Sequence, residues 1–195
     1  MGNEQDKVQS NDRPRSPASG GRKSTQTTAP ERLTSDKVDS TLLSAHQKTL
    51  VQQNWRNLAK DNLGPQIVSK MLALSSEVRQ VFVRNATERQ MRNCATLHQK
   101  HGTAFVELLD FAVKSLHDTA AIEAKCFTFG AQHCELREQG LRPGHFDVFG
   151  EAATEAVRNL MRQQRTSREL LHAWTLLCCF MVEKIRLGLF QPSLD

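Results

Sequence analysis

From Leu42 to Gly188 apolar residues return every third or fourth position, with polar residues filling the intervals. That is the period of helices with one buried face, and no stretch alternates with the period of a strand. Ser44 is a good N-cap for a first helix carrying Val51, Trp55 and Leu58. Gly64-Pro65 breaks the chain and starts a second, with Ile67, Val68, Met71, Leu72 and Leu74. After the turn Ser75-Ser76-Glu77 come Val78, Val81 and Phe82, then a polar stretch from Arg84 to Asn93. A longer helix follows with Leu97, His101, Phe105, Leu108 and Ala112 on one face. The next carries Ile122, Cys126, Phe129 and His133 and is expected to run to about Gly140, where Arg142-Pro143-Gly144 turns the chain. Two long helices close the pattern, one with Phe146, Phe149, Ala153, Val157 and Leu160. The other carries Leu170, Trp174, Leu177, Cys178, Met181 and Ile185 and stops at Gly188. The expected fold is all-α, with seven or eight helices over residues 41–190 and a short tail at 191–195.

Residues 1–40 follow another rule. Val8, Leu33 and Val38 are their only large aliphatic side chains after Met1, set among Ser, Thr, Gln, Asn, Gly and Pro. So little apolar surface cannot offset the entropy of ordering the chain, and this stretch is expected to be a disordered tail.

Composition excludes more than it selects. The 195 residues are 38% hydrophobic and 24% charged, with a net charge of +5 that is spread out rather than gathered on a face with aromatics. A nucleic-acid partner is therefore not expected. No apolar run is long enough to span a membrane. The five cysteines form no paired framework and no zinc spacing, which fits a reducing cytoplasm and inert buried thiols. No nucleophile triad, phosphate loop or carboxylate pair rises above chance, so no enzyme is expected.

Two histidines carry the chemistry. His101 and His133 lie on the apolar stripes of two different helices, His101 followed by Gly102 and Phe105, His133 preceded by Phe129 and Gly130. Two imidazoles facing one apolar pocket are what an iron porphyrin requires, one nitrogen to hold the metal and another across the open face.

These residues, in this order, resemble the globin family, and the invertebrate, nematode type more than the vertebrate type. Ser44 with Trp55 resembles the opening helix, and Phe82 the phenylalanine that packs on the porphyrin. His101-Gly102 with Phe105 resembles the distal motif, and Gly130-Ala131-Gln132-His133 the proximal one. His145-Phe146 with Phe149, and Ala173-Trp174, resemble the last two helices. Globins usually carry a proline six residues before Phe82; here Ser76 stands there, which loosens that turn. The resemblance covers about Leu42 to Gly188 and implies a globin fold around haem b.

It also implies roles. His133 would be the proximal iron ligand. His101 would either hydrogen-bond a bound diatomic ligand such as dioxygen or ligate the iron itself as a sixth ligand; sequence leaves both open, with His98 as a substitute one turn earlier. Phe82, Phe105 and Phe129 would wall the haem, and Val68 would cover the ligand site. The chain has no tyrosine, so the tyrosine-assisted tight oxygen binding of some nematode globins is excluded. The leading expectation is reversible dioxygen binding. The alternatives are a six-coordinate redox or signalling haem acting on nitric oxide or nitrite, and a haemless interaction module.

The amino terminus adds one more expectation. Met1-Gly2-Asn3 offers Gly2 as a myristoyl acceptor, although Asp6 stands where the pattern wants Ser or Thr. One acyl chain holds a membrane only marginally, and Arg13, Arg15, Arg22 and Lys23 would supply the second signal. The expected location is cytoplasmic, with peripheral contact to the inner face of a membrane in the acylated case.

Overall fold

The computed structural model describes residues 42–85, 94–161 and 167–191. Gly2, the basic tail and the 191–195 boundary fall wholly or largely outside them, as do the side chains of Cys94 and Leu97. Among the described residues there are seven α-helices and no strand: α1 Ala45–Asn57, α2 Leu63–Leu74, α3 Ser76–Asn85, α4 Cys94–Lys114, α5 Thr119–Ala131, α6 His145–Met161 and α7 Arg168–Gly188. Short 3-10 turns at Lys60–Asn62 and Cys134–Arg137 join α1 to α2 and follow α5.

The helix starts are built from side chains that accept orphan N–H groups. Ser44 and Gln47 form a reciprocal capping box on α1. Ser75 accepts from Val78 N (3.1 Å), Asp118 from Ala121 N (2.9 Å) and Ser167 from Leu170 N (3.1 Å), starting α3, α5 and α7. Gly64-Pro65, expected to start α2, lies within its first turn. Proline is harmless there because its missing N–H would have had no helical partner.

The helices assemble in two crossed sets. α2 packs on α4 and α6, while α7 packs on α5, α6 and α1. Glycine makes the two closest crossings possible. A Cβ on Gly102 would sit 2.8 Å from the carbonyl carbon of Gly64, so α2 and α4 touch backbone to backbone. Side chains on Gly130 and Gly188 would likewise strike the carbonyls of Ile185 and Phe127, where α5 meets α7. Between the sets lies one core, with Ile67, Leu109, Phe149, Trp174, Leu177 and Met181 fully buried. Its polar points are satisfied: Trp174 Nε1–H donates to buried Asn54 Oδ1 (3.0 Å), and Trp55 Nε1–H to Asp110 Oδ1 (2.7 Å).

Candidate functional site

The two crossings hold apart the edges of α3, α4, α5 and α6, and the space left between them is a cavity of about 250 Å³. Its walls are almost wholly apolar, from Met71, Val78, Val81, Leu136, Leu141 and five phenylalanines. Three imidazoles interrupt them: His101, His133 and His145. A ring path joins the first two. His101 lies 4.7 Å from Phe82 and 6.2 Å from Phe105, Phe105 lies 6.2 Å from Phe129, and Phe129 lies 5.0 Å from His133. Phe149 stacks on Phe105 at 4.5 Å, and Phe146 meets His133 edge-on at 5.8 Å.

His133 is not on a helix face, as the apolar spacing had predicted. α5 ends at Ala131, and His133 sits in the turn before the 3-10 segment with φ −106° and ψ 4°. The cause lies in the last turn of α5. The His133 backbone N–H bonds to the Gly130 carbonyl (3.0 Å), three residues back, rather than to Phe129. The Phe129 carbonyl then accepts from the His133 side chain, Nδ1 to oxygen 2.7 Å. With Nδ1 holding the proton, Nε2 presents a lone pair. Burial pushes the His133 pKa below its ordinary value; the Phe129 bond opposes that, and charge on His101 reinforces it. The imidazole is thus kept neutral, as metal ligation requires.

The other expected residues divide. Phe82, Phe105, Phe129 and His101 line the cavity. Val68 is fully buried but is not among the lining residues; Met71, three positions on along α2, takes that wall. His98 does not reach the cavity and lines a separate groove with Lys60, Asp61 and Glu107. Cys126 and Cys178 are buried, and burial pushes their thiols up to about 12 and about 11. Cys179, expected to be buried, is exposed.

His145 is buried. It opens α6, with its Nδ1 accepting from Arg142 N–H (3.2 Å) and its Nε2 3.4 Å from Glu77 Oε2. The only sequence signal for it is its place beside Phe146 and Phe149, one face of α6. Among the described residues no cluster of three His, Cys, Asp or Glu side chains could hold a bare metal ion.

Known proteins are similar to this chain along most of its length. The family model for Globin matches residues 66–185. "Globin-like protein 26" of Caenorhabditis elegans is 28% identical over 156 residues, 78% of this chain and 79% of that one. "Globin-related protein glb-13" of the same nematode is 22% identical over 154 residues, covering 77% of this chain and 54% of that longer protein. Among solved structures, a hexacoordinated heme protein from an anhydrobiotic tardigrade, crystallised at pH 4, superposes with a TM-score of 0.65. It shares 18% identity and the match covers 76% of this chain and 96% of that one.

Proposed function

The chain belongs to the globin family, and on that premise we propose that it binds haem b between His101 and His133 and uses it to take up a diatomic ligand, dioxygen first. The observation that carries this reading is the donor set at His133. Its Nδ1–H is committed to Phe129 at 2.7 Å, so the ring is oriented at the cavity wall and Nε2 is the nitrogen that would hold the haem iron. When bound, the haem supplies an iron centre that coordinates a small ligand or exchanges one electron.

The chain's own residues do the rest. His133 anchors from one side, oriented by the end of α5. Phe82, Phe105 and Phe129 offer flat apolar faces and keep water out. His101, 4.7 Å from Phe82, is the imidazole that would donate a hydrogen bond to a ligand on the opposite side. We read the protein as a binder rather than an enzyme.

A second reading has one observation in its favour: both imidazoles line the same cavity, joined by the ring path through Phe105 and Phe129. In that reading His101 is itself an axial ligand, and the role shifts to redox or nitric oxide and nitrite chemistry.

The deciding experiment is the absorption spectrum of the haemin-loaded chain, reduced under nitrogen and then exposed to dioxygen. Broad bands that change reversibly with dioxygen support ligand binding. Sharp, split bands before any ligand is added place His101 on the iron. Failure to take up haemin overturns both and leaves a haemless globin fold.

A further inference from the structure

Of the seven described helices, α3 is the most lightly packed against the others, and it is also a wall of the cavity. Among the described residues its one substantial helical neighbour is α2, from which it is separated by the single residue Ser75, in an extended conformation. It contributes Val78, Val81 and Phe82 to the lining, and Phe82 is the ring against His101. Among the described residues, contacts with the far wall also hold it over the cavity.

Two contacts do so, about two turns apart along the helix. At the Asn85 end, the Arg84 guanidinium lies over Gly140, where a Cβ would be 3.0 Å from it. Gly140 has φ +99°, a conformation that strains any side chain placed there. At the start, Glu77 reaches His145 across 68 residues of sequence. Arg142 N–H donates to Nδ1 of His145, so that nitrogen carries no proton and the neutral ring must hold its proton on Nε2. The Nε2–H is aimed at Glu77 Oε2, 3.4 Å away. A buried ring with its tautomer set by a backbone N–H thus offers one donor, and α3 supplies the acceptor.

We propose that His145 is a positioning residue: through Glu77 it latches α3 over the cavity and thereby holds Phe82 against His101. The latch is a hydrogen bond from Nε2–H to a carboxylate oxygen, so what it requires is an acceptor at position 77. Release lets α3 swing on Ser75, which opens the cavity beside His101 and loosens that ring. The inference is independent of which group fills the cavity, and its first test needs none.

The test is hydrogen exchange, followed by mass spectrometry, on the full chain as purified. The wild type is compared with Glu77→Ala and Glu77→Gln. In Glu77→Ala the amides of α3 are expected to exchange about fivefold faster, with α1 and α7 unchanged. Glu77→Gln keeps an acceptor oxygen and is expected to restore most of the protection. Alanine is the better helix former, so propensity alone would shift Glu77→Ala the other way. Equal α3 exchange in Glu77→Ala and wild type overturns the latch. So does glutamine exchanging as fast as alanine, or acceleration spread over every helix. The companion readout is transfer of haemin to an acceptor globin, expected to be faster for Glu77→Ala than for Glu77→Gln. Failure to load haemin would overturn the proposed function while leaving the exchange result standing.

Discussion

Gly64 and Gly102 meet backbone to backbone where α2 crosses α4, with no room for a methyl group on either. Gly102 directly follows His101, so this crossing sets how far that imidazole reaches into the cavity. Helix propensity and packing make opposite predictions for Gly102→Ala. Propensity favours alanine by about 1 kcal/mol in a helix interior. The new Cβ, however, would be 2.8 Å from a backbone carbon that has no rotamer to escape into. The expected outcome is a net loss of about 1–3 kcal/mol, read as a lower urea midpoint with unchanged slope.

The same pair shows what was legible in the sequence. Glycine beside a stripe histidine points to a close crossing, and the aromatic spacing around His101, Phe105, Phe82 and Phe129 points to one shared pocket. The place of His133 was not legible, because Leu136 and Leu141 continue the helical rhythm past the true end of α5. Only the switch of its N–H to the Gly130 carbonyl ends the helix there. Val68 and Met71 lie on neighbouring apolar positions of α2, and the choice between them rests on the rotation of that helix against α4. His145 was hidden for a different reason. A histidine after Arg142-Pro143-Gly144 reads as a cap on a surface turn, and its burial depends on α3, which no local pattern places above it.

Thiol chemistry separates the cysteines. Cys126 and Cys178 are buried, with thiols pushed up to about 12 and about 11, so almost no thiolate exists at neutral pH. Cys179 is exposed on α7 next to Cys178. Brief maleimide treatment of the folded chain is expected to label Cys179 well ahead of Cys126 and Cys178. Peptide mass spectrometry reads the sites, and early labelling of Cys126 would contradict the burial.

Asp110 gives the fold an acid-sensitive point. Burial acts to raise its pKa, but hydrogen bonds from Lys114 and Trp55 and the charges of Lys114 and Lys60 outweigh it, leaving the pKa below the ordinary 3.8. A carboxyl with a depressed folded pKa adds stability above its unfolded pKa and loses it as pH falls through the folded one. Asp110→Asn keeps an acceptor for Trp55 and removes only the charge. Its cost is expected to be about 0.5–1 kcal/mol at pH 7, after allowance for partial exposure of the side chain. The gap from wild type should close once the pH is well below 3.8, followed by Trp fluorescence in urea. A gap constant with pH would assign Asp110 a packing role instead.

Phe82 and Phe105 both touch His101, yet they should fail in different ways. Phe105 is buried, stacks on Phe149 and bridges His101 to Phe129, so it belongs to the core as much as to the site. Truncation to alanine there removes a ring from close-packed surroundings and is expected to cost about 3–5 kcal/mol. Phe82 is half-buried on lightly packed α3, where neighbouring chain can relax into the gap. Phe82→Ala is therefore expected to cost less, about 1–2 kcal/mol, on the part of the transfer term its burial represents. Its effect on the cavity should be the larger per unit of stability lost, because it strips His101 of the ring at 4.7 Å. Urea unfolding and haemin transfer, measured side by side, check this: Phe105→Ala should lower the unfolding midpoint most, whereas Phe82→Ala should speed haemin release at a nearly normal midpoint. Parallel losses in both variants would mean that α3 is part of the core and not a separable wall.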